Sequence, residues 1–405
     1  VVAAISAGGA GAVFWMWITA ILGSATAFVE ATLAQLYREK DPLYGGFRGT
    51  PAYYIQDCFG RKGKKSIIAV LFAISGLICW CGISQVISNS VSSAFENAFH
   101  IPTLYTTIVL VILAAVIVLR KNATVKVLDI LVPIMATCYF AITLFIIFKN
   151  VTLLPSVFAR IFEEAFGIRQ AVAGGFGAIL MNGVKRGLFS NEAGMGTATQ
   201  ASSIADANHP CEQGFIQSIG VFVDTIVICS LAGFVVTAGA IWNNPSIDWD
   251  VMKANKIGTF LTSVKELVPG DGILDVIVFI IVVVAFGLFA FTTLLCDLTY
   301  TEIAANKISK NKKFIYFTRC LGALIFVPLG TLTVLSGLQL DNLWYVSDLI
   351  NVILIFVNIP TLLVGRKLVT KAYENYKKNP GRRFVASDIG VESEVWTAEA
   401  AKENR

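Results

Sequence analysis

The residues best placed to do chemistry lie in one stretch, residues 173–203, which reads AGGFGAILMNGVKRGLFSNEAGMGTATQASS. It starts as an apolar half-span, and the polar run from Asn182 to Gly187, continuing through Ser190-Asn191-Glu192, predicts that the helix is interrupted there. Neighbouring segments are long and apolar, so we expect this stretch at membrane depth too. Because lipid satisfies no free backbone group, an interrupted helix is tolerated there only where protein or water does so. Broken helices of this kind form substrate and ion sites in secondary transporters.

A second polar group lies in the span around CGISQVISNSVSS. Helical spacing places Ser84, Gln85, Ser88 and Asn89 on one face, and exposing that face to lipid would be costly. The face either lines a cavity or bonds neighbouring helices.

Acidic residues in the apolar spans invite a functional interpretation by default. Glu192 needs a partner, and the nearest basic residues are Lys185 and Arg186, so we interpret them as an ion pair that fixes the interruption. The other acids have no spacing typical of a catalytic pair, and we interpret them as helix-packing or vestibule groups: Glu30, Asp129, Asp224 and Asp348. No nucleophile elbow, Walker loop or histidine-based metal motif is present, which argues against an enzyme.

Composition restricts the class of protein further. The 405 residues are 56% hydrophobic and 15% charged, with a mean hydropathy of +0.70, whereas soluble domains carry about a quarter charged residues. A membrane bundle of about nine or ten spans is expected. The net charge of +5 comes from short basic loops that set topology, so it does not indicate nucleic-acid binding. The eight scattered cysteines are interpreted as buried small apolar residues.

Apolar runs predict an all-α membrane protein. The predicted spans are 11–36, 67–95, 103–119, 127–148, 171–204 (interrupted), 214–241, 272–304, 314–337 and 341–365. Residues 152–166 and 249–268 look amphipathic, as interfacial or simple loop helices. The tail beyond residue 366 is polar, and its end is expected to be disordered.

Basic residues predict the orientation. They concentrate in the 37–66 loop, in 305–313 and after residue 365, which places these segments and the C-terminus in the cytoplasm. Val1 then lies outside and enters an apolar run directly, so at least one earlier span is expected before it.

Four stretches resemble the alanine or glycine:cation symporter family of sodium-coupled amino-acid carriers. They are residues 8–41, RGLFSNEAGMGTA (186–198), GVFVDTIVICSL (220–231) and LFAFTTLLCDLTYTE (288–302). The resemblance runs from residue 1 to about 365, and the SNEAGMG string is its most specific part.

The resemblance implies a leucine-transporter-like bundle of two inverted repeats, each opened by a broken helix. Residues 1–148 would be the remainder of the first repeat and 171–366 the second, within a transmembrane domain 1–366 followed by a cytoplasmic tail 367–405. The first repeat's broken helix would lie before Val1, so the bundle is expected to lack its first helix or helices.

The resemblance also implies site residues. Phe189 would wall the substrate pocket beside Ser190 and Asn191, and Gln85 would contact the substrate. Thr292 and Thr293 would give oxygen ligands to a co-transported sodium ion, and Thr293 would also border the substrate. The residues themselves leave open that both threonines bond back to the preceding helical turn.

Asp297 departs from the family pattern, which commonly has tryptophan here as a lid over a small amino acid. An aspartate removes bulk and adds charge, so the pocket is either larger or suited to a polar or cationic substrate. Alternatively, Asp297 pairs with a basic residue or faces a vestibule.

These observations lead to one expected function and several rivals. We expect sodium-coupled symport of a small amino acid, alanine- or glycine-like, across the plasma membrane. The alternatives are a carrier of a larger, polar or cationic amino acid, an uncoupled channel, and a transport-inactive fragment. An intramembrane enzyme would need paired acids or a histidine cluster in adjoining spans, and this sequence has neither.

Overall fold

The computed structural model describes residues 1–41, 46–59, 66–120, 123–168, 175–241, 249–268, 272–338 and 341–398. Helices dominate these residues. They are α1 Val2–Gly8, α2 Ala12–Leu36, α3 Pro51–Phe59, α4 Ile67–Phe99, α5 Thr103–Val118, α6 Ala123–Lys149, α7 Leu154–Ala165, α8 Gly175–Asn191, α9 Ala198–Ile204, α10 Pro210–Phe222, α11 Cys229–Val236, α12 Trp249–Ala254, α13 Lys256–Leu267, α14 Ile273–Ile308, α15 Lys312–Leu321, α16 Val327–Leu335 and α17 Asp341–Lys378.

Short irregular elements complete the description. Two π-helical segments, Val223–Ile228 and Thr237–Ile241, continue α10 and α11 as one long helix, and a third, Gly322–Phe326, joins α15 to α16. The strands β1 Glu39–Lys40 and β2 Phe47–Arg48 pair antiparallel beyond the end of α2.

Seven helical stretches of the described chain are long and apolar enough to cross a membrane, and α5 is a shorter apolar helix. This confirms an all-α membrane protein. Each predicted uninterrupted span contains a helix, and several helices run further than predicted. For example, α17 continues through Arg366 and Lys367 to Lys378, because charges end an apolar run without ending a helix. The inverted repeat stays a prediction.

Polar residues begin several helices. The Asn255 and Asn311 side chains accept hydrogen bonds from the amides of Gly258 and Lys313 at the starts of α13 and α15. At the start of α10, His209 Nδ1 accepts from Cys211 N at 3.1 Å. Burial lowers the pKa of His209 to about 4, so the ring is neutral near pH 7 and is able to accept this bond.

The two amphipathic linkers are helices, as predicted. The first, α7, packs on the start of α2: Glu164 is fully buried, accepts from Arg160 Nε at 2.7 Å and from Gly11 N at 3.3 Å. The second is split into α12 and α13, and α13 buries Phe260, Leu261 and Val264.

Part of the polar tail packs against the helical bundle. Phe384 and Trp396 are each only 2% exposed and join the apolar cluster formed by the ends of α2, α3 and α17. The predicted disorder concerns the last residues, and 399–405 lie outside the described part of the chain.

Candidate functional site

The interruption lies later than the sequence predicts. Helix α8 continues through residues 182–187 to Asn191, and the break is confined to residues 192–197 before α9 begins. Glu192, Gly194 and Gly196 have φ angles of 55°, 90° and 82°, and such left-handed backbone cannot continue a right-handed helix. The glycines at 183 and 187 serve close packing instead, since a Cβ on either would run into α2.

The protein itself satisfies much of the exposed backbone at the break. Asn191 Oδ1 accepts from Ala193 N at 3.1 Å, and Asn358 Nδ2 on α17 donates to Gly194 O at 3.0 Å. Within the turn, Met195 N donates to Glu192 O at 3.1 Å. The break therefore meets the condition for irregular backbone at membrane depth.

Asn358 is the centre of a buried network that the sequence did not reveal. Its Nδ2 donates to Glu30 Oε1 of α2 at 2.5 Å, and its Oδ1 accepts from Tyr54 OH of α3 at 2.6 Å. Asn358 and Tyr54 are fully buried, and Glu30 is 1% exposed. The sequence predicts a helix-packing or vestibule role for Glu30, and its one signal for Asn358 is an amide within the apolar run ILIFVNIP.

The predicted ion pair of Glu192 with Lys185 or Arg186 is wrong. Lys185 Nζ lies 2.5 Å, and Arg186 Nη2 3.7 Å, from Asp348 Oδ2 on α17. Glu192 follows the end of α8 in a left-handed conformation, and its carboxylate accepts from Thr197 Oγ1 at 2.5 Å. Lys185 and Arg186 thus join α8 to α17, whereas Glu192 bonds to Thr197 at the other end of the break.

Two cavities flank the break. One, of 900 Å³, lies between α8 and α17 and is lined by Lys185, Phe189, Met195 and Asp348. The other, of 670 Å³, lies between α6, α9 and α14 and is lined by residues that include Ala201, Cys296 and Tyr300. The broken helix therefore borders one cavity with its first half and the other with its second half.

Three predicted site residues lie just before the break. Phe189 lines the α8–α17 cavity. Ser190 Oγ donates to Asp224 Oδ2 at 2.7 Å, and Thr225 Oγ1 donates to the same oxygen at 3.0 Å. Asp224 lies in the π-helical segment Val223–Ile228, so the fold brings Ser190 to an acid for which the sequence predicts a helix-packing or vestibule role.

The threonines on α14 adopt the intrahelical arrangement. Thr292 Oγ1 and Thr293 Oγ1 each donate to Phe289 O at 2.9 Å, with Thr292 buried and Thr293 exposed. Gln85 on α4 is 9% exposed, and its Nε2 donates to Cys81 O at 3.3 Å.

Asp297 is buried, with 6% of its surface exposed. Its Oδ2 has no hydrogen-bond partner in the described part of the chain, and no ion pair involves it there. Its like-charge interaction with Glu192, the first residue of the break, is repulsive. Its neighbour Cys296 lines the cavity beside α9, so Asp297 is buried next to a residue of that cavity and has an acceptor oxygen that no described residue uses.

Comparison with known proteins decides the family. The profile of the sodium:alanine symporter family matches residues 1–385. The chain belongs to the sodium:alanine symporter family. Membership agrees with the resemblance seen in the sequence, and it makes the chain a transporter rather than an enzyme.

Three relatives, each aligned with 93% of this chain, illustrate the similarity. The probable sodium/glutamine symporter GlnT of Bacillus subtilis is 35% identical over 93% of this chain and 74% of its own length. The amino-acid carrier protein AlsT of the same species is 36% identical over 93% and 75%. The sodium/alanine symporter AgcS of Methanococcus maripaludis is 32% identical over 93% and 80%.

Proposed function

We propose that this member of the sodium:alanine symporter family couples sodium entry to uptake of a small amino acid, alanine- or glycine-like, across the plasma membrane. The observation that carries the proposal is the largely buried break at residues 192–197, with one cavity beside the helical half that precedes it and another beside the half that follows it. Alternating access follows if the two cavities open to opposite sides in turn.

The substrate would bind at the break. Backbone groups there and the side chains of Ser190 and Asn191 would bind the carboxylate or ammonium of the amino acid, and Phe189, which lines the adjoining cavity, would form a wall of the pocket. Gln85, Thr293 and Asp297 complete the proposed contacts. The names of the relatives, one a sodium/glutamine and one a sodium/alanine symporter, support an amino-acid substrate.

Sodium would bind at Thr292 and Thr293. Their hydroxyls already meet at one carbonyl, that of Phe289, and hard cations prefer such oxygen ligands. By linkage, sodium that tightens amino-acid binding must itself bind more tightly in the presence of the amino acid.

The proposal includes a topology. The basic loops place the C-terminus in the cytoplasm, with residues 1–148 and 171–366 as remainders of two inverted repeats and 367–405 as the cytoplasmic tail. The cavity beside α9 would then face the cytoplasm, and the cavity between α8 and α17 the outside.

Uptake into proteoliposomes tests the function. Radiolabelled alanine is expected to accumulate when sodium is supplied outside and not when potassium replaces it. Thr293→Val is expected to raise the sodium concentration for half-maximal uptake roughly tenfold, since one oxygen ligand is lost. Thr333→Val on α16 is the matched control, because Thr333 also bonds within its helix, to Leu329 O. Equal uptake with potassium would contradict the symport proposal.

Asp297 is expected to set the rank order of substrates. A substrate with an additional donor or ammonium group gains a charge-assisted hydrogen bond of about 1.5–3 kcal/mol from the free Asp297 oxygen, or about tenfold in affinity or more. Asp297→Trp is therefore expected to shift preference toward alanine and glycine in competition assays over neutral, polar and cationic amino acids. Asp297→Asn serves as the size-matched control, and an unchanged order in both variants would remove Asp297 from the pocket.

A further inference from the structure

The chain beyond α17 folds back onto the place where α2 and α9 both end. We call residues 384–396 the C-terminal clasp. Its Phe384 and Trp396 rings meet edge to face with centroids 5.6 Å apart, and Ala386 N donates to Trp396 O at 3.0 Å. The clasp also reaches the connection after α9, where Phe384 N donates to Asn208 O at 2.9 Å. The family profile ends at residue 385, so nearly all of the clasp lies beyond the matched region.

Trp396 attaches the clasp to the end of α2. Its indole N–H donates to Gln35 O at 2.7 Å, and its ring lies 4.5 Å from the guanidinium carbon of Arg38. The Phe47 ring lies 4.0 Å from the same carbon. Arg38 is 2% exposed, so two aromatic rings fix a buried cation, a contact that strengthens when water is excluded.

Gln35 and Arg38 in turn hold the end of α9. Arg38 Nη1 donates to Ala205 O at 2.8 Å, and Gln35 Nε2 donates to Ala205 O at 3.0 Å and also to Ser202 O. The last carbonyls of a helix lack partners within it, so these two side chains cap α9. A helix of seven residues has little stability of its own, so its position depends on tertiary contacts, and this cap is one of them.

These contacts connect the clasp, through Gln35 and Arg38, to α9, which is the second half of the broken helix. We infer that the C-terminal clasp regulates transport: docked, it holds the end of α9 against α2, and released, it lets α9 move away and opens the adjoining cavity. Since the docked clasp reaches α9 through Gln35 and Arg38 and through the connection at Asn208, docking favours the arrangement in which α9 is held. The inference rests on the proposed function only for its effect on transport.

Accessibility of α9 tests the clasp without substrate or sodium. In the full chain with its native cysteines replaced, Ser202→Cys places a thiol on the face of α9 that is fully buried, and the Ser202 hydroxyl bonds only within its own helix. In nanodiscs, Trp396→Ala is expected to raise labelling by a bulky water-soluble maleimide roughly tenfold, equivalent to about 1.4 kcal/mol of lost docking. Trp396→Phe, which keeps a ring over Arg38, is expected to give a smaller rise.

Two controls separate release of α9 from general loosening. Glu394→Ala changes an exposed clasp residue and is expected to leave labelling unchanged. Ser263→Cys reports on α13, where Ser263 is fully buried and bonds within its helix, and its labelling should not respond to Trp396→Ala. Unchanged labelling at residue 202, or an equal rise at 202 and 263, overturns the inference. Either result leaves the proposed symport untouched, because uptake is measured separately.

Discussion

Asn358→Leu is expected to abolish sodium-driven uptake while leaving the protein in the membrane. Leucine has the same number of side-chain heavy atoms but neither donates nor accepts a hydrogen bond, so buried Gly194 O and Glu30 each lose a donor and buried Tyr54 loses an acceptor. A buried polar group left without its partner costs about 1–3 kcal/mol, and more when it is charged. Together the losses correspond to at least a hundredfold lower population of the ordered break.

Thr361→Val is the matched control for this experiment. Thr361 is fully buried one turn further along α17, but its hydroxyl bonds only to Val357 O of the same helix. Its uptake is expected to stay near wild type. Tyr54→Phe removes one bond of the network and should fall between the two. Wild-type uptake by Asn358→Leu would show that the network does not hold the break in its working form.

Gly196→Val is the second change with a large expected effect. Gly196 has a φ of 82°, which β-branched residues adopt only with strain, and a Cβ there would overlap the Pro51 ring at the start of α3. Strain of about 1–3 kcal/mol adds to a clash with a rigid ring, so we expect uptake below detection and a lowered melting temperature.

Gly194 and Gly220 supply the comparisons for that result. At Gly194, with φ 90°, a Cβ would meet Ile359 Cδ1 at 3.1 Å, and a flexible side chain is able to give way. Gly194→Ala is therefore expected to be milder than Gly196→Ala. At Gly220 nothing lies within 4 Å of the added atom, so Gly220→Val should retain most uptake. If Gly196→Val transports as well as Gly220→Val, the described break is not the working conformation.

The spans were predictable because lipid selects long apolar helices, but the position of the break was not. A glycine in an apolar run has two meanings, close packing or a change of backbone direction, and local sequence does not distinguish them. Gly183 and Gly187 lie against α2, whereas Gly194 and Gly196 have positive φ angles. Only the arrangement of α2 and α3 around the segment decides which meaning applies.

The sequence predicts contacts at the break where the residues are adjacent in the chain and does not predict them where the residues are distant. Phe189 and Ser190 lie beside the break by position alone. Asn358 hydrogen-bonds to Gly194, which lies 164 positions away in the chain. Lys185 forms its ion pair with Asp348 of α17 and not with Glu192, which is closer in sequence. Such pairings depend on which helices become neighbours. An isolated polar residue in a span indicates that it has a partner but not which residue that partner is.

The tight contact of α8 with α2 has a mechanical consequence. Along Gly183 and Gly187 the two backbones approach so closely that no side chain fits between them, and packed helices resist sliding. By contrast, the end of α9 is held through hydrogen bonds from the side chains of Gln35 and Arg38, and these contacts can be released one at a time. The broken helix thus joins a stiff arm to a compliant one, and elastic deformation during each turnover should concentrate in residues 192–197 and spare α8.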